Sequence, residues 1–243
     1  MFHIVPAISE GAQPIHLNPS AGLAERVLLP GDPHRALAVA QALTEDTRMF
    51  NTRRGLWGYT GRAPDGGLVT VQATGMGGPS AAIVVSELID LGARTLVRIG
   101  TCGGLDSGLA LGDFIVAREA IAADGASRAM GAGERIAADP AVSDALVSAA
   151  HPPAREGVVV STDLFYDPRA GIEDSWRGAG ALAVEMEAAA LFAVASQRGV
   201  RAGCLLAVSD VLTGGRERIG DEALEEAGLE LGRTGLRALE ELA

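Results

Sequence analysis

The chain has 243 residues, is 48% hydrophobic and 21% charged, and carries a formal net charge of −11. That length and balance fit a folded protein with a sizeable core, and the lack of a basic stripe excludes an electrostatically driven duplex binder. Two cysteines, Cys102 and Cys204, exclude a disulfide framework and point to a reducing, cytoplasmic setting, and the apolar stretches near Ala81–Val85 and Ala188–Ala195 fall far short of the roughly 20 residues of a membrane span.

In chain order, Met1–Glu10 lacks the basic segment and apolar core of a secretory signal. Arg26–Leu29 predicts a short buried strand ending in Pro30-Gly31-Asp32-Pro33, followed by a helix from His34 to Leu43. Thr47–Thr52, Gly58–Arg62 and Leu68–Ala73 predict strands, with a Pro64–Gly67 turn between the last two. The glycine-rich loop Gly75–Ser80 opens an apolar helix that runs to Leu91 and is stopped by Gly92. Thr95–Ile99 predicts a buried strand ending in the turn Gly100–Gly104. Asp113–Ala117 and Gly157–Val160 predict further strands, and Glu185–Arg198 a helix stopped by Gly199. Cys204–Val208 predicts a strand ending at Ser209 and Asp210, and Glu222–Leu242 a closing amphipathic helix. No linker rich in Pro, Gly or Ser divides the chain, so residues 1–243 are expected to form a single domain. Alternating strands and helices predict an α/β fold with a largely parallel sheet, which binds ligands at the carboxyl ends of its strands.

Four groups of polar residues follow strands. Gly31 lets backbone N–H groups approach an anion, and Arg35 stands one turn into the helix that follows; an ordinary strand–helix turn with a surface arginine would look the same. Arg98 interrupts the apolar strand Leu96–Ile99, so a carboxylate or an anionic ligand must meet it. Thr101, Cys102 and Gly103 come next and add a hydroxyl and backbone donors. Glu185 and Glu187 flank Met186 at the expected start of an apolar helix. One carboxylate suits the helix N-terminus; the other is free to accept from vicinal hydroxyls, with methionine as a soft surface for a sugar ring. Asp210 ends an apolar strand, where burial favours its neutral form and a role as general acid; a turn or capping aspartate is the structural alternative. All basic residues are arginine, which excludes a Schiff-base or P-loop lysine and leaves bidentate phosphate recognition open. Gly75-x-Gly77 lacks the third glycine and the acidic partner of a dinucleotide fingerprint, and no Cys/His spacing suggests a metal site.

The ordered set Leu29–Arg35, Arg54–Gly61, Gly75–Ser80, Arg98–Gly103, Ser161–Tyr166, Val184–Ala188 and Val208–Asp210, preceded by His16-Leu17-Asn18, resembles the hexameric purine nucleoside phosphorylases, within the wider family that includes uridine phosphorylases. The resemblance implies a three-layer α/β/α sandwich around a mixed, partly barrel-like twisted sheet. It implies phosphorolysis of purine nucleosides to free base and ribose 1-phosphate, with inorganic phosphate as co-substrate and no cofactor. Gly31, Arg35, Arg98 and Thr101 match phosphate-binding positions, and Arg54 an arginine that reaches phosphate in a neighbouring subunit. His16 matches a histidine crossing the same interface to the ribose 5′-hydroxyl; Met76, Met186 and Glu187 match the ribose site. Cys102, Gly103, Phe165, Val184, Glu185 and Ser209 match positions around the base, and Asp210 the proton donor, assisted by Arg216 or Arg218. The resemblance therefore implies a homo-oligomer with shared sites, a hexamer built as a trimer of dimers.

Thr101 stands where close purine enzymes carry serine, and Asp124-Gly125-Ala126-Ser127 looks like the uridine branch. After Tyr166, however, Asp167-Pro168-Arg169 replaces the Gln-x-Arg pair that reads uracil. A uridine phosphorylase is the alternative within the family. A nucleoside hydrolase would leave three arginines without an anion, and a non-catalytic binding relative would not need Asp210 and Glu187.

Overall fold

The computed structural model describes residues 14–243; the stretch Met1–Glu10, read above for a leader, lies outside them. The apolar runs become strands β1 (Arg26–Pro30), β2 (Glu45–Asn51), β3 (Gly58–Arg62), β4 (Leu68–Gln72), β5 (Thr95–Gly104), β6 (Phe114–Ala123), β7 (Arg135–Ala137), β8 (Arg155–Thr162), β9 (Ala181–Glu185), β10 (Arg201–Val211) and β11 (Glu217–Arg218). Between them lie helices α1 (Pro33–Leu43), α2 (Gly78–Asp90), α3 (Gly125–Ala129), α4 (Pro140–Ala149), α5 (Ile172–Gly178), α6 (Ala188–Arg198) and α7 (Asp221–Glu241). Asp32, Asp124 and Asp139 accept backbone N–H donors at the starts of α1, α3 and α4, and proline occupies the first turn of α1 and α4, the chemistry that favours helix initiation.

The strands form one sheet in the order β11-β10-β6-β8-β9-β5-β1-β4-β3-β2, with β7 on β6. Strand β10 also pairs with β5, so β5, β10, β6, β8 and β9 close into a ring while β1 to β4 extend from it as an open wing. The pairing is mixed. Strands β1, β5 and β10 are parallel, whereas β5–β9, β6–β10 and β2–β3–β4 are antiparallel. The α/β/α sandwich around a barrel-like sheet is thus present; the sheet is mixed where strand–helix alternation predicts a largely parallel one, because β2–β3–β4 and β10–β11 are short hairpins and the ring sets β9 on β5 and β10 on β6 antiparallel. Helices α1, α4 and α7 cover one face and enclose one apolar core. Helices α2, α3 and α6 cover the other, and α5 packs beside β9. Among the described residues no helix is long and apolar enough to cross a membrane.

Two boundaries differ from the sequence reading in ways that matter for the site. Gly100–Gly104 continues β5 instead of turning. Glycine there serves close approach: a Cβ on Gly100 would lie 2.6 Å from Arg98 Nη2, and one on Gly103 would lie 2.9 Å from Leu212 Cδ1. Glu185 ends strand β9, and helix α6 begins only at Ala188. Register then carries the polar residues to one end of the sheet. Leu29 pairs with Arg98, Val208 with Cys102, and Gly103 with both Asp210 and Val184.

Candidate active site

A cavity of about 1020 Å³ opens at that end, where ligands bind in open α/β sheets. One end gathers arginines, a hydroxyl and backbone N–H groups. The loop after β1 and the loop after β4 are zipped together by Gly75 N donating to Gly31 O (3.0 Å) and Thr74 N to Pro30 O (2.9 Å). Gly31 is needed at this crossing, since a Cβ would stand 3.3 Å from the Gly75 carbonyl. Arg35, from the first turn of α1, and Arg98 and Thr101, from β5, line the cavity with Gly31. Arg35 has no carboxylate partner among the described residues. Its pKa is lowered, first by burial and then by the positive charge of Arg98, against the opposite pull of Asp32. Two guanidinium groups thus line one cavity, close enough for the charge of Arg98 to lower the pKa of Arg35.

Arg98 is buried within the sheet. Its Nε donates to Glu185 Oε2 at 2.9 Å, and its Nη2 lies 2.5 Å from Glu187 Oε2. Burial alone would weaken the proton affinity of Arg98, but Glu187 and Glu185 more than offset it and keep the group charged. Among the described residues its Nη1 is buried without a hydrogen-bond partner, an unmet donor of the kind that costs free energy.

The two glutamates divide the roles left open by the sequence. Glu185 accepts from the backbone N–H of Glu187 and Ala188 at 2.9 Å and also bonds the Ser161 hydroxyl, so it caps α6 and anchors Arg98. Its carboxylate is enclosed, with no side-chain exposure, although the residue is part of the cavity lining. Glu187 reaches the cavity. Its Oε1 accepts from Gly77 N at 2.5 Å. Its carboxyl is raised above the usual range by burial and by the adjacent Glu185, although Arg98 and the Gly77 and Met186 N–H groups pull it down.

At the far end, Cys102, Gly103, Val184, Met186, Ser209, Asp210 and Phe165 line the same cavity. Asp210 is buried but not alone. Arg216 Nε donates to its Oδ1 at 2.7 Å, and the Ser209 hydroxyl lies 2.8 Å from its Oδ2. The lone desolvated carboxyl expected from sequence is therefore a hydrogen-bonded one, held because β11 folds back on β10. Arg216 also lies over the Phe165 ring, 4.6 Å from its centroid, a cation–π contact that joins two cavity-lining residues. Arg218 pairs with Asp210 only through the backbone ladder, and its exposed side chain does not line the cavity; of the two candidate helpers the structure brings Arg216. Burial pushes the Cys102 thiol upward, with Glu185 adding to the effect, so it is a neutral wall. Met76 stands at the mouth, 85% exposed.

His16 and Arg54 do not join this cavity. They lie together on a separate rim. His16 sits in a segment whose Ile15 carbonyl accepts from Arg53 Nη1 (3.0 Å) and whose Asn18 N–H donates to Asn51 Oδ1 (2.9 Å), and Arg54 follows Arg53 in a left-handed conformation, φ 60°. Sequence reasoning missed Gly77, Ser161 and Glu87. Gly77 is a backbone donor with no side-chain signature. Ser161 stands in the sequence only as the first residue of the Ser161–Tyr166 stretch, and Glu87 only as a polar residue in an apolar run.

A sequence profile of the phosphorylase superfamily matches residues 25–242. The chain is 40% identical over 212 residues to a DeoD-type purine nucleoside phosphorylase of Alkaliphilus metalliredigens, covering 83% of this chain and 90% of that one. It is 39% identical over 217 residues to one from Caldanaerobacter subterraneus, covering 86% and 92%, and 40% identical over 205 residues to one from Clostridium beijerinckii, covering 81% and 85%. The chain belongs to the phosphorylase superfamily.

The buried carboxyl of Glu187 has a consequence for stability. Its folded value is raised above 4.5, so its contribution is complete below that value and is lost as pH rises through the folded value. Urea unfolding of the parent and of Glu187→Gln across the acid and neutral range should show the parent losing stability relative to the variant as pH rises. A difference that stays flat, or that grows in the parent's favour, would contradict this electrostatic account.

Proposed function

We infer that the protein is a pentosyltransferase that cleaves purine nucleosides with phosphate, releasing the free base and ribose 1-phosphate. The observation that carries this reading is the convergence of Arg35 and Arg98 on one cavity end, with Arg98 Nη1 unpaired. The names of the relatives, purine nucleoside phosphorylases, support it. They also weigh against the uridine alternative.

In this reading phosphate is held by Arg35, Arg98, the Thr101 hydroxyl and the N–H groups around Gly31. Met186 and Met76 flank the ribose, and Glu187 accepts from its 2′- and 3′-hydroxyls. The base sits between Phe165, Val184 and the walls formed by Cys102, Gly103 and Ser209. As the glycosidic C–N bond lengthens, its electron pair moves to the base and positive charge grows on the sugar. The held phosphate stabilises that charge and forms the new C–O bond. Asp210 gives a proton to purine N7, and Arg216 stabilises the carboxylate that results. The chemistry calls for no metal or organic cofactor, and phosphate is consumed as co-substrate.

Charge count argues for a third arginine. Arg35 and Arg98 are matched by Glu185 and Glu187, so a bound phosphate brings the site into negative excess. We assign Arg54, with His16, to the site of a neighbouring copy. Exposed apolar side chains flank their rim, Ile15 at 63% and Ile83 at 41%, as a contact surface requires. The working form is a homo-oligomer, which we read as a hexamer made of three dimers. We read the chain as one domain that carries every other site residue, and its two free, buried cysteines suit a cytoplasmic enzyme.

Base release from inosine, measured without phosphate and after phosphate is added, tests the reading. Release should depend on phosphate; equal rates would make the protein a hydrolase. Asp210→Asn should slow inosine cleavage by roughly 10²–10⁴-fold, the worth of general acid catalysis. The same variant should cleave 7-methylinosine nearly as fast as the parent, because that base leaves without an added proton. Equal losses on both substrates would show that Asp210 holds the base or the fold instead.

A further inference from the structure

Glu87 lies on α2 among Val84, Val85, Leu88 and Ile89, all buried. A carboxylate in such a setting persists only when its oxygens are filled. They are filled by one short segment. Oε1 accepts from Ile15 N at 3.1 Å and His16 N at 2.9 Å, and Oε2 accepts from Leu17 N at 2.7 Å. These backbone bonds anchor the segment. A fourth bond does something else: His16 Nδ1 lies 2.7 Å from Glu87 Oε1. Burial would raise the Glu87 carboxyl, but donation from Leu17, His16 and Ile15 outweighs it and holds the group below its ordinary value. An ionised carboxylate has no hydrogen to give, so the hydrogen of this contact belongs to Nδ1. In its neutral form the imidazole then presents a bare Nε2, an acceptor, on its other edge. Among the described residues Nε2 has no hydrogen-bond partner.

We propose that Glu87 is a positioning residue that fixes the tautomer of His16, so that the enzyme favours nucleosides whose 5′ group donates a hydrogen bond, a hydroxyl, over those whose 5′ group cannot, a 5′-deoxy carbon or a thioether. The inference rests on the reading above in which His16 reaches the ribose of a neighbouring copy. It goes beyond that reading by naming what sets the polarity of the contact. The ring is not carried on a loose arm. Leu17 is fully buried, and Arg53 and Asn51 bind the residues on either side of the His16–Leu17 pair. A rigid acceptor discriminates because an unmatched one is left unpaired when the donor is missing.

Glu87→Gln keeps the shape but supplies amide hydrogens that can turn towards Nδ1 and reverse the tautomer. The test compares kcat/KM on inosine and on 5′-deoxyinosine for the parent, His16→Ala and Glu87→Gln. The ratio of the two should fall about tenfold in Glu87→Gln, the worth of one hydrogen bond, because inosine loses and 5′-deoxyinosine does not. Equal losses on both substrates would show that Glu87 only anchors the segment and would overturn the proposal. If His16→Ala leaves the ratio at the parent value, the placement of His16 fails first and the proposal with it. A measurement on the parent avoids any question of variant folding. The chain has four histidines, and ¹⁵N spectra of histidine-labelled protein, assigned with His16→Ala, report which ring nitrogen is protonated. Nδ1–H with a bare Nε2 is the expected result; a bare Nδ1 in neutral His16 would overturn the proposal whatever the variants do.

Discussion

Arg98 is a permanent cation inside a strand, and most of the site can be read as the set of groups required to keep it there. An unpaired guanidinium at that depth would cost several kcal/mol, on the order of what breaks a buried ion pair. Glu185 and Glu187 meet it from the neighbouring strand and the turn beyond it, because β5 is paired with β9 and the chain turns into α6 directly after Glu187. The cost of burying those carboxylates is met in turn by Ser161, by the first N–H groups of α6 and by Gly77 at the entrance to α2. One charge thus ties together β5, β8, β9, α2 and α6. A network with every member satisfied but one, Arg98 Nη1, is high in consequence: the remaining donor has a fixed direction and no competing partner.

The topology explains why Arg98 lines a cavity. The parallel trio β1, β5 and β10 ends together, and closure of the ring brings β9 against β5 from the other side. Gly31, Thr101, Glu187 and Asp210, from four different elements, therefore share one space without any of them lying close in sequence to another. Two short glycine-dependent crossings, Gly31 under Gly75 and Gly103 beside Val184, make the approach close enough.

Much of this was legible beforehand, and the misses have physical reasons. Arg98 announced itself because a charge in an apolar strand needs a partner, and of carboxylate and ligand it is the carboxylate that stands against it, as Glu185 and Glu187. Gly31–Arg35 follows β1 as expected, while Ser209 and Asp210 lie within the last residues of β10, which runs on to Val211. Gly100–Gly104 was read as a turn because glycine usually punctuates; here it is strand that must pass close to a guanidinium and to Leu212. Glu185 was read as opening a helix because the apolar run follows it, yet its carboxylate caps that helix from the preceding strand. Helices α3, α4 and α5 and strand β9 left weak signals, since each is short and its burial is decided by distant neighbours. Pairings across the chain, such as Glu87 with His16 or Arg216 with Asp210, are outside what local pattern can show.

The central claim is that Arg98, held by Glu185 and Glu187, offers its free nitrogen to a phosphate oxygen. Calorimetric titration of inorganic phosphate into the parent and into Arg98→Gln, each verified as folded by unfolding transitions, tests it most directly. Loss of a charge-assisted hydrogen bond of about 1.5–3 kcal/mol predicts phosphate binding weakened roughly ten- to a hundredfold in the variant. An unchanged dissociation constant in a folded Arg98→Gln protein would contradict the account.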